Sequence, residues 1–541
     1  MTKPLTDENW WREGVIYQIY PRSFQDTNGD GIGDLQGIID RLDYLNDGTD
    51  NSLGVDGIWL SPTFPSPMKD FGYDVADYHD VHPDFGDLAT MDRLIEECHK
   101  RGLRLMLDFV PNHTSDQHPW FIESRSSLDN PKRAWYYWRD PKPDGSRPNN
   151  WRAVFGGSTW TMDEETGQYY LHSFLAEQPD LNWRNPEVVE AMHETLRFWL
   201  RRGVDGFRID VVGMILKHPD LADNPSNPEW ASGDHTRLQF LRTHMQNYPD
   251  VYDAVKGIRA VIDEFHGAAV VGETSGTFDE IGRFYGGENL DGLHLAFNFH
   301  FINQREPVIT AWDAVRLNQI IRDAEATVPP GAQPCYAFNN HDRPRIASRL
   351  DHDGHGQERA RAAALLLLGL RGTPFLYYGE EIGMGDGTIP EHMLQDPARI
   401  HTEGRDPERT PMQWEATDGR GFTTGTPWLP FGHETISVAA QVGEADSMLS
   451  LYRRALRFRK SSAALRRGKL ELLDLGEELV AFLRTVEGEP PLVVAVNTSL
   501  QPRTIALPSG VNEVVLATDL AMEGACATPF VLPPLGAAYF S

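Results

Sequence analysis

Four acidic residues fall at the ends of short runs rich in β-branched and aromatic side chains. Asp108 lies in "LRLMLDFV" (103–110), Asp210 in "GFRIDVV" (206–212), Glu273 in "AAVVGET" (268–274) and Asp342 in "PCYAFNNHD" (334–342). If these runs are strands of one sheet, the four carboxylates meet at one mouth and offer carboxylate chemistry there. A buried ring of acids is costly unless cations and hydrogen bonds compensate it. Candidates stand in step: Arg208 two residues before Asp210, His113 after Asp108, and His341 before Asp342. Arg208 and Asp210, two apart on a strand, share a face and can interact. Taken singly, an Asp at a strand end commonly caps the following helix, Arg208 is an ion-pair partner, and His341 is a hydrogen-bonded wall residue. Four strand-end acids with Arg and His between them make coincidence hard to sustain.

The positioning elements are legible in the alternation of patterns. Besides the four runs above, "GVIYQIYP" (14–21), "VDGIWLSP" (55–62), "GLHLAFNF" (292–299) and "GTPFLYYGEE" (372–381) read as strands. Amphipathic helices lie between them. In 88–101, Leu88, Met91, Leu94, Ile95 and Cys98 share a face and Gly102 stands where a C-terminal cap belongs. Another helix starts at Pro186 and runs through Met192, Leu196 and Trp199 to end near Gly203. Eight β-then-α units predict an α/β fold, a (β/α)8 TIM barrel in preference to a doubly wound open sheet, although strand count alone fits both. In a barrel, chemistry sits at the carboxyl ends of the strands, where the four acids fall. The connection from Val110 to Pro186, dense in Trp, Pro, Gly and Asn, is too long for a simple loop. It predicts an inserted small domain at 113–177, with the barrel formed by 1–112 and 178–463. From 464 to 541 short strands separated by turns predict a C-terminal antiparallel β domain.

Composition narrows the partners. Fifty Lys+Arg against 79 Asp+Glu give a formal charge of -29, which repels nucleic-acid phosphates and acidic membrane surfaces. Cys98, Cys335 and Cys526 are far apart without CxxC spacing, so neither a disulfide framework nor a thiolate metal site is suggested. The start, "MTKPLTDENWWREG", has no apolar signal core, and "AAALLLLGL" (362–370) is about half the length needed to cross a bilayer. A cytoplasmic protein without nucleic-acid or membrane partners is expected.

Residues 26–34, "DTNGDGIGD", present oxygen ligands at alternating positions. An EF-hand sensor needs a bidentate Glu at the twelfth position between two helices, but here the twelfth residue is Gly37 and the preceding segment reads as a strand. The expectation is a fixed, structural Ca2+ (or Mg2+) held by Asp26, Asn28, Asp30, the Ile32 carbonyl and Asp34. The alternative is a polar turn closed by Asx-type hydrogen bonds with no ion.

"DFVPNHTS" (108–115), "GFRIDVV" (206–212), "VVGET" (270–274) and "NNHD" (339–342), in this order, resemble the four signature regions of the α-amylase family of glycoside hydrolases, family 13. "QPDLNW" (178–183) and "GRDPERTPMQW" (404–414) resemble its oligo-1,6-glucosidase/α-glucosidase branch. The resemblance implies Asp210 as nucleophile, Glu273 as general acid/base and Asp342 as a third carboxylate that binds sugar hydroxyls. Retaining hydrolysis needs one ionised carboxylate and one protonated carboxyl about 5–5.5 Å apart. Arg208 beside Asp210 is expected to keep it ionised, leaving the less cation-flanked Glu273 to carry the proton.

The resemblance further implies that His113 and His341 hydrogen-bond the nonreducing glucose and that Tyr73 is a stacking platform. It pairs Asp70 with an arginine of the "GRDPERTPM" segment, Arg409 by preference and Arg405 as the other choice, closing the pocket behind the sugar. Phe155 and Phe174, with Gln178, are expected in the pocket wall, the aromatics being equally suited to a small-domain core. Val211, next to the nucleophile, accompanies α-1,6 preference in this branch. The expected activity is a retaining exo-α-glucosidase on short α-glucosides, with glucosyl transfer to hydroxyl acceptors. A sucrose or trehalose isomerase of the same branch is the alternative within enzymes, and a non-catalytic sugar-binding or transporter-associated relative the alternative outside them. No organic cofactor is implied, and a monomer or homodimer is expected.

Overall fold

The computed structural model describes residues 8–302, 312–397 and 404–541. The first seven residues, read above as part of a start without a signal core, lie outside the described residues. All eight expected barrel strands form: β1 (Ile16–Ile19), β2 (Gly57–Leu60), β3 (Arg104–Phe109), β7 (Gly206–Ile209), β8 (Ala269–Gly272), β9 (Leu295–Asn298), β10 (Cys335–Ala337) and β11 (Thr373–Tyr377). The numbers β4 (Trp138–Arg139), β5 (Trp160–Asp163) and β6 (Gln168–Leu171) belong to the insertion after β3, where they pair into a three-stranded antiparallel sheet. The barrel strands are hydrogen-bonded in the order β1-β11-β10-β9-β8-β7-β3-β2 and close on β1, which excludes the open doubly wound sheet. The neighbouring pairs are parallel.

Side-chain alternation along the strands decides what enters the barrel. Ile16, Trp59, Met106, Ala269, Val271, Leu295, Phe297, Cys335, Ala337 and Phe375 form one buried cluster, which fills the interior. Their neighbours in sequence, such as Tyr17, Ile58, Leu105, Leu107, Phe207 and Val270, belong to a second cluster shared with the surrounding helices. The helices are stopped by the signals seen in sequence. Helix α1 (Leu35–Asp40) is capped by Asp34, and α2 (Leu88–Lys100) by Asp87 at its start. Gly102, past the end of α2, takes a φ of 70°, and Gly203, which closes α3 (Pro186–Arg202), a φ of 104°. Both lie in the left-handed region where a side chain is disfavoured.

After the barrel, α4 (Met448–Ser461) and α5 (Ala463–Arg467) lead into β12 (Lys469–Leu472). A six-stranded antiparallel sheet follows, in the order β12-β13-β14-β19-β16-β17, with β13 (Leu479–Thr485), β14 (Leu492–Asn497), β16 (Glu513–Ala517), β17 (Gly524–Ala525) and β19 (Ala537–Phe540). The remaining two strands, β15 (Arg503–Ile505) and β18 (Phe530–Leu532), make a separate pair. Cys98 and Cys335 are buried and unpaired, and Cys526 is also a free thiol. No helix among the described residues is long and apolar enough to cross a membrane.

Candidate active site

Register brings the acids together. Asp108 of β3 lies beside Arg208 of β7, and Arg208 beside Val271 of β8. Two residues further on, the same register sets Asp210 next to Glu273, both on the face that points inward. Arg208 is buried at their centre. Its Nη1 donates to Asp108 Oδ1 and Asp210 Oδ1, both at 2.8 Å, and its Nη2 to Glu273 Oε2 at 2.6 Å. The expectation that Glu273 is the less cation-flanked acid is therefore wrong: the guanidinium fork bridges both, because Glu273 continues the strand adjoining Arg208. One planar group thus bridges both carboxylates and fixes them side by side.

Exposure separates the four acids. The Asp108 side chain is 0% exposed, while those of Asp210, Glu273 and Asp342 keep 9%, 21% and 26%. Asp108 therefore cannot reach a substrate and the other three can. Asp108 accepts from Trp59 Nε1 and the Tyr73 hydroxyl, and burial pushes its carboxyl up to about 6. Asp210 is raised well above the ordinary range by burial, against Arg208 and with the neighbouring Glu273 and Asp108 charges. Three carboxylates draw on one guanidinium, so Arg208 does not outweigh the burial of Asp210, contrary to the expectation that it keeps that acid ionised.

Asp342 is placed differently. It lies on a turn past β10, where its N–H donates to Asn340 Oδ1. Burial would raise it, but the guanidiniums of Arg405 and Arg409 hold its carboxyl well below the usual range. His341 is itself kept neutral by burial, its pKa pushed down to about 3. Its Nδ1 meets Gln18 Nε2 at 2.8 Å and its Nε2 the Tyr73 hydroxyl at 2.7 Å. The Tyr73 ring lies nearly parallel to that of His341, centroids 5.4 Å apart.

The closing pair is Asp70 with Arg405, not Arg409. Arg405 Nη2 donates to Asp70 Oδ1 at 2.7 Å and Nη1 to Asp342 Oδ1 at 2.9 Å. Arg409 turns inward instead: its Nε donates to the His341 carbonyl at 2.8 Å, its Nη2 to Asp342 Oδ1 at 3.1 Å, and its guanidinium lies over Tyr20. The two arginines are four apart on a short turn and diverge in direction. Asp396, which the sequence reading missed, orients Arg405 through both carboxylate oxygens, accepting from Nη2 at 2.7 Å and from Nε at 2.9 Å.

Gln178, Phe174 and Phe155 lie near Asp70, His113 and Arg405. Gln178 Nε2 reaches Asp70 Oδ2 at 3.1 Å and His113 Nε2 at 3.2 Å. Phe174 packs on His113 and on Phe155, over which the Arg405 guanidinium lies at 5.2 Å. Val211 has a φ of 36°, a left-handed conformation that a β-branched residue rarely adopts. Its N–H donates to Glu273 Oε2 at 3.1 Å. Asp74, also missed, accepts from Ser66 Oγ and from the backbone of Lys69 and Asp70, and so shapes the loop that presents Asp70. Its place in "DFGYDVADY" gave no pattern to find it by.

The Asp-rich loop is closed by its own hydrogen bonds. Asp26 accepts from the N–H groups of Asn28, Gly29 and Gly31, Asn28 Oδ1 from Asp30 N, and Asp30 Oδ1 from Ile32 N. Asp34 is divided between Thr27 and the cap of α1. Among the described residues no group of three or more His, Cys, Asp or Glu side chains is arranged to hold a metal ion.

With this geometry in view, the comparison with known proteins is direct. The model of the alpha amylase catalytic domain matches residues 18–468, which hold the end of β1, the other seven barrel strands and the four acids. The chain belongs to the α-amylase family of glycoside hydrolases. Within the family it is 44% identical over 524 residues to a probable alpha-glucosidase of Rhizobium meliloti, covering 93% of this chain and 92% of that one. An oligo-1,6-glucosidase of Heyndrickxia coagulans is 40% identical over 520 residues, covering 90% and 92%. Among solved structures, the alpha-glucosyl transfer enzyme XgtA superposes with a TM-score of 0.90 at 38% identity, covering 98% of this chain and 99% of its own. The oligo-1,6-glucosidase/α-glucosidase branch expected from the sequence is the one in which these relatives fall.

Proposed function

We propose that the protein is a retaining exo-α-glucosidase that releases glucose from the nonreducing end of short α-glucosides and transfers glucosyl groups to hydroxyl acceptors. The observation that carries the reading is the Arg208 fork, which holds two solvent-reachable carboxylates side by side. Asp210 in its carboxylate form attacks the anomeric carbon while Glu273 gives its proton to the leaving oxygen. A covalent glucosyl-Asp210 forms, and water or an acceptor hydroxyl, deprotonated by Glu273, releases it. Asp342, held ionised by Arg405 and Arg409, binds sugar hydroxyls and supports the charge that develops in the ring. The Asp70–Arg405 pair closes the far side of the sugar, which favours action from chain ends.

Chromatography of the products from maltose, isomaltose, sucrose and trehalose tests this, run alongside Asp210→Asn. Free glucose together with longer glucosides is expected from at least one substrate, and turnover is lost in the variant. A variant with unchanged turnover removes Asp210 from the mechanism. A sucrose or trehalose converted only to an isomer, with no glucose, sinks the hydrolase in favour of the isomerase. Val211 gives a lean toward isomaltose over maltose, worth no more than about 1–3 kcal/mol.

We also propose a structural divalent ion, Ca2+ or Mg2+, in the 26–34 loop. Support comes from the hard-oxygen donors, Asp26, Asn28, Asp30, the Ile32 carbonyl and Asp34, on one tight turn. Binding there exchanges some of the Asx hydrogen bonds for ion contacts, and no catalytic step passes through it. Saturable calcium binding by calorimetry and a higher Tm, equivalent to about 2.7 kcal/mol at a hundredfold excess over Kd, are expected. Identical melting in calcium and in chelator rejects the ion. A cytoplasmic location is proposed on the unpaired cysteines and the acidic surface.

A further inference from the structure

Of the three acids that can reach a substrate, Asp210 and Glu273 are tied to one guanidinium, whereas Asp342 stands on a turn. His341 and Asp342 form its apex between the bridged Asn340 and Arg343, and the Asp342 N–H donates to Asn340 Oδ1 at 3.0 Å. The arginines that reach Asp342 Oδ1, Arg405 and Arg409, come from another segment and hold the carboxylate from outside the turn. What fixes the turn itself lies below its apex. Its two feet are the end of β10 and the start of the short helix Ile346–Arg349.

Asn339, buried three residues before Asp342, joins those feet. Its Oδ1 accepts from the Ile346 N–H, and its Nδ2 donates to Glu380 Oε2 at 2.7 Å. A backbone N–H can only donate, so the amide has one orientation and its Nδ2 faces the carboxylate. Arg349 repeats the closure: its Nη2 donates to the Phe338 carbonyl at 2.8 Å and its Nη1 to the Pro344 carbonyl at 3.1 Å. Glu380 is also buried and is fixed from two further directions. Its Oε1 accepts from the Tyr452 hydroxyl of α4 at 2.7 Å, and its Oε2 from the N–H of Tyr377 on β11 at 3.4 Å. A chain of hydrogen bonds thus runs from α4, which leads into the C-terminal sheet, through Glu380 and Asn339 to the turn that carries Asp342. The polar atoms of both residues are engaged within the protein, so they act on a substrate only through what they hold.

We propose that Asn339 and Glu380 are positioning residues of the reaction: together they set the place of the Asp342 carboxylate, and Tyr452 ties that setting to α4. The inference rests on the α-glucosidase reading, in which Asp342 binds sugar hydroxyls, and names what holds that acid in place. A displacement of about 1 Å at such a group costs about 100-fold in rate, so loss of the link lowers turnover from a distance.

The test is kcat/KM for p-nitrophenyl α-glucoside in the wild type, Asn339→Ala, Asp342→Asn and the double variant, with calorimetric affinity for deoxynojirimycin measured on the same four proteins. Asn339→Ala is expected to lower kcat/KM by about 10- to 100-fold when Asp342 is present. The same change costs less than about threefold once Asp342→Asn has removed the group it positions. Inhibitor affinity follows the same pattern without turnover. Glu380→Ala behaves as Asn339→Ala does, while Glu380→Gln, whose amide can still accept from Asn339 and donate to Tyr452, retains most of the activity. An equal loss in both backgrounds overturns the proposal, because damage that ignores Asp342 is general to the fold. An Asn339→Ala enzyme with wild-type kcat/KM overturns it too. Should the alanine variants not fold, Tyr452→Phe deletes a single hydroxyl and is read in the same two backgrounds. A loss of about 2- to 10-fold that vanishes beside Asp342→Asn supports the link, and any other result refutes it. An Asp342→Asn enzyme as active as the wild type defeats the role given to Asp342 and the link with it, whereas a crippled Asp342→Asn beside an unaffected Asn339→Ala defeats the link alone.

Discussion

Arg208 faces three acids of three strands, whereas Arg405 faces three acids of three loops, and the two were not equally legible. Arg208, Asp210, Glu273 and Asp108 follow from the two-residue period of a strand and the register of neighbours, so their convergence could be read from spacing. Arg405 and Arg409 stand on an irregular segment, where no period tells which way a side chain turns. The preference for Arg409 failed for that reason, and Asp396 and Asp74 went unseen. What the sequence did carry at this scale was residue type: acids, arginines and histidines at the right strand ends. Arg405→Lys keeps the charge but loses the fork that joins Asp70 to Asp342. It is expected to lower kcat/KM by about 10- to 100-fold, the value of one or two charged hydrogen bonds, with most of the loss in KM. An Arg409→Lys variant that suffers more than Arg405→Lys would contradict the assignment of the closing pair.

At the scale of elements, short strand ends carry the cost of presenting these groups. The φ of Val211 stores roughly 1–3 kcal/mol of strain and turns its N–H onto Glu273. The turn past β11 bears another expense. Glu381 is fully buried there, accepting from the Tyr17 hydroxyl of β1 at 2.8 Å and from Tyr44 at 2.7 Å, and its second oxygen has no partner among the described residues. Burial raises its carboxyl from 4.5 to about 6. Because the folded-state value lies above the unfolded one, the stability that this group contributes is fully present below about 4.5 and is lost as pH rises through about 6. The change amounts to roughly 2 kcal/mol. Thermal unfolding of Glu381→Gln between pH 4 and 7 is expected to lack this fall relative to the wild type; parallel pH profiles would place the raised carboxyl elsewhere. The eight strands and the capped helices were readable because each obeys one period and one stop signal. These buried polar partnerships between elements were not, since no local pattern encodes them.

Across the whole molecule the C-terminal sheet is tied to the barrel by arginines that satisfy backbone carbonyls. Arg484 of β13, fully buried, donates to the carbonyls of Gly369 at 2.6 Å, Leu465 at 2.9 Å and Gly468 at 3.0 Å. Arg459 of α4 does the same for Leu368 and Gly372. Phe482, Val494 and Tyr539 of the sheet belong to the same apolar cluster as the barrel helices. Arg484→Leu strands several carbonyls and is expected to cost on the order of 3 kcal/mol, lowering one common unfolding transition. Two separate transitions in a calorimetric scan would show that the sheet is an independent unit. Such a tie exists to keep the barrel's shape, and that shape serves one chemical event. Proton NMR of the glucose formed in the first moments of p-nitrophenyl α-glucoside hydrolysis observes that event most directly. Attack by Asp210 followed by attack of water inverts the anomeric carbon twice, so α-glucose appears first and mutarotates later. β-Glucose as the first product would mean a single direct displacement by water, and Asp210 would not be the nucleophile.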